Sequence, residues 1–343
     1  MNHTRKSIAL FVFLVIIFFS AAFPVHGEIN LFNQSYTFTL SGGMGFLYGT
    51  SHEIVYLDSK SKDYISELQW NIKPLFYMGL TLDFGPKNPQ EKWGLFSSLG
   101  IKTALPMETG VMEDRDWLYP CTVPGALTHF SSHENHTKAA FLLNLDSGFS
   151  LPVWKLVLKF YLNLDYMYYK WEGRNGYIQY GDNVNKGTLF NPIDPNDPNT
   201  WFIPWSPGFT KIPISGLGIT YTQHWILFTT GTGTELYLDR FIFSIAFFIG
   251  LPICIAVDEH HMRDPPFRTT AILTPGFVIK PKIGVCFPIT EHFETGFYVS
   301  YLYIGKNRGD TKSEESGSSV IYKNTEGASF KALEANLIFK YNF

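Results

Sequence analysis

The chain has 343 residues, 17% charged and 17% aromatic, with a formal net charge of -3. Soluble domains carry about 25% charged residues, so charge is scarce here, while 31 Phe, 19 Tyr and 8 Trp are abundant. A 45% hydrophobic share excludes disorder, three cysteines exclude a disulfide scaffold, the acidic balance leaves no footprint for nucleic acid, and a mean hydropathy of -0.01 is too polar for a bundle of membrane helices. What survives is a large soluble β protein, or an outer-membrane β-barrel whose apolar and polar residues alternate and average to near zero.

At the N-terminus, Arg5 and Lys6 precede an apolar run over 7–23, and Val25-His26-Gly27 offers a cleavage site. This reads as a secretory signal peptide over 1–27, leaving 28–343 as a single domain. The alternative is an N-terminal membrane anchor, for which the run is near the lower length limit.

Period-2 alternation then recurs. Tyr36, Phe38, Leu40, Met44, Phe46 and Tyr48 share one face. Leu68, Trp70, Ile72, Pro74, Phe76, Met78, Leu80, Leu82 and Phe84 share another, with Leu75 an exception on its polar side. Strands are predicted in these two stretches and over 91–106, 136–151, 153–172, 208–230, 236–258, 266–287, 291–306 and 328–343. They are longer than the usual five or six residues, and their even count suits a closed barrel with both termini on the periplasmic side. The run 241–257 has no charge and is long enough to suggest a helix. Its Phe and Ile content favours a strand, and Gly250 and Pro252 oppose a helix, although the proline must then sit where no ladder donor is needed.

The predicted connections alternate. Short turns fall at 85–90, near 151–152, at 231–235 and at 288–290. The other set, 51–63, 107–135, 172–207, 259–265 and 307–327, is mostly long, the pattern of periplasmic turns and extracellular loops. The final strand alternates Leu333, Ala335, Leu337, Phe339 and Tyr341 to a terminal Phe343. The fold expected is an all-β, ten-stranded antiparallel transmembrane barrel with long extracellular loops.

Two clusters lie on the long-loop side. Asp114 and Asp116 are two apart and point the same way in an extended segment, as do Asp258 and His260. Along 241–255 the odd positions form the apolar row, so the even row, continued by Asp258 and His260, should face the lumen. An Asp beside a His orients the ring and stabilises its charged form, so the His can take a proton from water. Two close carboxylates can hold that water and share a proton. These residues would serve hydrolysis without a metal or protein nucleophile; they would equally serve as hydrated loop acids. His133 and His136 show no metal-ligand spacing with His260 and His261. Cys254 and Cys286 should face the lumen far apart in the ladder, and Cys121 stands alone on its loop.

Gly45-Phe46-Leu47-Tyr48-Gly49, Glu53-Ile54-Val55-Tyr56-Leu57 and Ser66-Glu67-Leu68-Gln69-Trp70 resemble the opening of the omptins, outer-membrane aspartyl-type endopeptidases. Asp114-Arg115-Asp116-Trp117 and Asp258-Glu259-His260 are similar to that family's two catalytic stretches, in order, and the last strand matches too. The resemblance covers most of 28–343 and is poorest over 172–235. It implies a ten-stranded barrel in the bacterial outer membrane with its active site facing outward. It implies Asp258 and His260 as the catalytic dyad and Asp114 and Asp116 as the facing pair. Glu53 becomes a substrate-binding acid for basic side chains. The family's second such acid corresponds to Ala256, and Thr128-His129 stands at another usually acidic place, which implies a weaker or altered basic preference. The implied partners are peptide or protein substrates and outer-membrane lipid, with a monomeric barrel, no cofactor and no metal, and lipopolysaccharide as a requirement for activity. The competing readings are an inactive omptin-like barrel acting as an adhesin or binding protein, and a small channel, which ten strands would leave narrow.

Overall fold

The computed structural model describes residues 29–181, 194–263 and 265–343. The expected signal peptide, its boundary at 27–28 and part of the 172–207 connection lie outside them. No helix among the described residues is long and apolar enough to cross a membrane, which says nothing about strands.

The short β1 (Ile29–Leu31) pairs with β2 (Gln34–Tyr56), which pairs with β3 (Tyr64–Pro86). The next stave is broken into β4 (Gly94–Ala104) and β5 (Met107–Asp116), both antiparallel to β3. Then come β6 (His129–Val153), β7 (Leu156–Tyr180), the two-residue β8 (Ile212–Pro213), β9 (Leu217–Leu238) and β10 (Phe241–His260). A second broken stave, β11 (Phe267–Leu273) with β12 (Val278–Pro288), leads to β13 (Phe293–Glu315) and β14 (Ser318–Asn342). Because β14 pairs with β2 from Asn342↔Thr39 to Glu326↔Val55, the sheet closes on itself. With each broken stave counted once and β1 and β8 set aside, ten staves form the ring. Closure leaves no edge, so lipid meets no unpaired backbone.

The outer wall carries the aromatic and aliphatic excess. Met44, Phe46 and Tyr48 on β2, Phe243, Ile245, Phe247, Ile249 and Leu251 on β10, and Leu333 and Leu337 on β14 are all exposed. The alternation on β10 matches the sequence reading: odd positions face out, while Phe248, Pro252, Cys254, Ala256 and Asp258 are buried inside. Pro252 sits opposite the break between β11 and β12, since pairing to β10 stops at Gly250↔Val278 and resumes at Cys254↔Leu273. Its carbonyl accepts from the Asn307 Nδ2 in that gap. The amide hydrogen that proline lacks would have pointed to the same side, so no ladder bond is lost.

Four expectations are corrected. First, the staves run far beyond their predicted ends: β2 and β3 have 23 residues each and β7 has 25, although about 9–11 cross a bilayer. Much of each stave therefore stands in water, where both faces are polar and the alternation that marks a strand disappears. Stretches read as loops at 107–135 and 307–327 are largely β5, β6, β13 and β14, and the last of these connections is a tight turn at Ser316-Gly317 with positive φ at both residues, as a two-residue hairpin requires. Second, Asp114, Asp116 and His260 lie within strands rather than in the connections that follow them. Third, the turn placed at 231–235 is strand. Gly231 and Gly233 there leave space for the Phe248 and Tyr161 rings, and the chain reverses at Asp239-Arg240. Fourth, Leu68 to Phe84 do not share one face. Between Ile72 and Leu75, β3 carries an extra residue against β2. A bulge of this kind exchanges the faces, so Leu68, Trp70 and Ile72 point inward, followed by Leu75 and Tyr77.

Trp70 consequently fills the lumen. It stacks on Tyr221 and Trp171 at centroid distances of 5.7 and 6.2 Å, and Trp171 stacks on Tyr169 at 5.1 Å. This aromatic floor, with Phe330 and Met112, is fully buried. It separates the long-loop end of the barrel from a cavity of about 500 Å³ in the other half, lined by groups such as Lys102, Lys280, Asp165 and Glu334. There Lys280 and Asp165 pair at 2.5 Å, and Lys102 pairs with Glu334.

Candidate active site

Above the aromatic floor, β10 and the β3–β5 wall face each other across the ring. Asp258 is paired in register with Tyr221 of β9 and Thr269 of β11, and His260 with Ile219 and Phe267. Both stay on the inward row that Phe248, Cys254 and Ala256 establish. His260 Nε2 lies 2.6 Å from Asp258 Oδ2, and the carboxylate is almost wholly buried while the ring is partly open. The edge of Phe267 holds the ring at 5.7 Å.

On the facing wall Asp114 is opposite Leu68 and Asp116 opposite Ser66. Ser66, opposite Asp116 and diagonal to Asp114, brings its hydroxyl beside both carboxylates and favours their charged forms. Burial holds the Asp114 carboxyl well above the usual carboxylate range, and the charges of Asp116 and Asp258 add to this. Burial raises Asp116 as well, while Ser66, Arg263 and His260 pull it back. Two half-buried neighbours of like charge resist joint ionisation, so the pair holds a proton more tightly than an exposed pair would. The same electrostatic contacts show that the dyad and the pair address one space: Asp116 feels His260, and Asp114 feels Asp258.

Glu53 completes the set. It points inward from β2 and is 2% exposed, and burial followed by repulsion from Asp258, Glu326 and Asp114 raises its pKa well above the ordinary value. All five residues expected from the sequence thus meet at one end of the barrel. Ala256 is fully buried two residues before Asp258. Thr128 and His129 act structurally: Thr128 Oγ1 donates to the Asp116 carbonyl at 3.0 Å and accepts from the Leu118 amide.

Sequence reasoning missed Glu326, Arg263, Thr269 and Thr311. Glu326 is buried on β14 beside the cluster, and burial raises its pKa to about 8, against a hydrogen bond from Thr311. It was hidden because 307–327 carries so much polar sequence. His133, by contrast, is bonded to Ser131 and to the Asn175 carbonyl, and His136 leans on Glu134. The described residues contain no group of three or more His, Cys, Asp or Glu arranged to hold a metal. The three cysteines are buried and free.

A family model described as the Omptin family matches residues 34–343. The chain belongs to the omptin family. As an omptin it is a bacterial outer-membrane β-barrel. Its fold is similar to the crystal structure of the outer-membrane protease OmpT from Escherichia coli, with a TM-score of 0.76 and 16% identity over 90% of this chain and 97% of that one. The translocator domain of the autotransporter NalP from Neisseria meningitidis aligns over 99% and 98% of the two chains at 7% identity, but with a TM-score of 0.32. The toluene transporter TodX of P. putida gives 0.32 at 10% identity over 90% of each chain. Neither of these two informs the architecture of this omptin. No curated protein sequence matches the chain.

Proposed function

We propose that this omptin is an outer-membrane endopeptidase that hydrolyses peptide bonds with a water activated by His260, its site facing the extracellular side. The observation that carries the reading is the 2.6 Å contact between His260 and Asp258, set across the barrel mouth from the half-buried pair Asp114 and Asp116. Asp258 holds His260 through the close Oδ2–Nε2 contact, which leaves Nδ1 to meet a water. The ring takes a proton from that water as its oxygen attacks the scissile carbonyl, and Asp258 stabilises the imidazolium that results. The shared proton of the aspartate pair is placed to donate to the water or to the developing oxyanion. His260 then returns its proton to the departing amine as the carbon–nitrogen bond breaks. No acyl-enzyme forms, because no protein atom bonds to the substrate.

Glu53 gives the site a carboxylate for a basic side chain of the substrate. Lipopolysaccharide as a requirement for activity and a monomeric barrel belong to the same proposal. The test is to refold 28–343 in detergent, with and without lipopolysaccharide, and to map cleavage across a peptide library. Cleavage that disappears in Asp258→Ala supports the reading. A well-folded barrel that cuts no peptide, yet binds peptides through its rim, would replace it with the binding-protein reading.

A further inference from the structure

Glu53 and Glu326 stand together without a cation. Ala328 of β14 is opposite Glu53 of β2, and Glu326 is two residues before Ala328 on the same inward row. The two acids are therefore diagonal neighbours on adjacent antiparallel strands, about 7–8 Å apart at the backbone and within reach of one ligand group. Each residue is 2% exposed. Each keeps one oxygen with no hydrogen-bond partner: Oε2 of Glu53 and Oε1 of Glu326. The other oxygen of Glu326 is fixed, accepting from Thr311 Oγ1 at 2.8 Å. Among the described residues no lysine or arginine forms an ion pair with either acid.

A buried carboxylate oxygen without a donor is costly, and two such oxygens side by side are costlier. A charged ligand with several donors removes both costs. A guanidinium is such a ligand, because its planar fork of N–H groups can serve two carboxylates at once. The adjoining rows provide small side chains rather than competitors: Ala328 beside Glu53, and Ala256 paired with Ala271 on the path from Asp258 to Thr311. Asp258, the partner of His260, is among the charges that both acids feel. A cation seated here is thus close to the dyad.

We propose that Glu326 is a specificity-determining residue of this omptin, forming with Glu53 a two-carboxylate seat for the guanidinium or ammonium group of a substrate arginine or lysine beside the scissile bond. The seat rests on the peptidase reading for its purpose, but not for its chemistry. It supplies from β14 the second acid that Ala256 does not supply from β10. The basic preference is then relocated rather than weakened.

The experiment uses the refolded full-length mature chain with lipopolysaccharide and two peptides that differ only in arginine or neutral citrulline before the cleaved bond. Glu326→Gln keeps the size of the side chain and its acceptor for Thr311. The ratio of kcat/KM for arginine over citrulline is expected to fall on the order of 100-fold in this variant, the size of effect seen when one partner of a buried charge pair is removed. An unchanged ratio overturns the proposal and leaves the peptidase reading standing. In parallel, calorimetry measures binding of agmatine, a guanidinium without a peptide bond. Binding to the wild type that is lost in both Glu53→Gln and Glu326→Gln supports the seat even if no peptide is cut, in which case it is the peptidase reading that falls. Agmatine that fails to bind the wild type, or binds both variants equally, overturns the seat.

Discussion

His260 Nε2 and Asp258 Oδ2 are 2.6 Å apart on one strand, two residues from each other, with the acid buried and the ring reaching the opening. A β-strand returns every second side chain to the same face, so this contact needs no loop to assemble it. Asp258→Ala and His260→Ala are each expected to lower peptide cleavage by roughly 10²–10⁴-fold, the usual worth of a positioned acid–base group. Urea unfolding midpoints of the variants check that the barrel survives. Full activity in both purified variants would remove the dyad from the mechanism.

Ser66 tunes the opposite wall. Its hydroxyl favours the ionised forms of Asp114 and Asp116, so Ser66→Ala must push both carboxyls further upward. If one ionised carboxylate of the pair is needed, the acidic limb of the kcat/KM profile moves to higher pH, by roughly one unit for the loss of one such bond. A pH–rate profile from pH 4 to pH 9 reads this directly (an unmoved limb removes the pair from the rate-limiting ionisation).

Glu326 links the site to stability. Its carboxyl titrates near 4.5 in an ordinary environment and at about 8 in the folded barrel. The native state thus holds more protons than the unfolded state between these values, and stability falls as pH rises from about 4.5 through about 8. Wild type should be more resistant to urea at pH 5 than at pH 9, with a difference on the order of a few kcal/mol, and Glu326→Gln should flatten that slope. Agmatine must displace the same proton, so its affinity should increase with pH over the same window. Glu53, Asp258 and Asp114 face the same space, and the raised Glu53 and Asp114 carboxyls contribute to the slope, which is why the comparison with the variant decides.

Trp70 tests the bulge. Trp70→Ala removes a fully buried ring stacked on two others and should cost about 3–5 kcal/mol. Phe46→Ala, on the exposed outer face, should cost much less in detergent. Equal costs would place Trp70 on the lipid wall, where unbroken alternation would have put it.

The alternation of β10 was legible because every odd residue from Phe241 to Ile255 meets lipid and must be apolar, which fixed the inward direction of Asp258 and His260 before any coordinates. Asp114 and Asp116 were legible by the same period. The bulge near Pro74 was signalled only by Leu75 on the wrong face, since one inserted residue leaves no other mark in a run of large apolar side chains. Glu326 was not legible. The first half of its strand stands in water above the membrane, where both faces are polar and nothing in the sequence separates a strand from a loop.

By itself the sequence determined the all-β barrel and the lipid-facing rows, because hydrocarbon on one side imposes a strict period of two on everything that crosses it, and it offered Asp114, Asp116, Asp258 and His260 as candidates for one site. Tertiary structure alone decided how far the staves rise, that Trp70 closes the lumen, and that Glu326 comes to lie beside Glu53. Glu326 meets Glu53 through register between residues about 271 apart in the chain, and Trp70 turns inward through the β2–β3 bulge, so pairing between strands rather than local pattern sets which side chains meet.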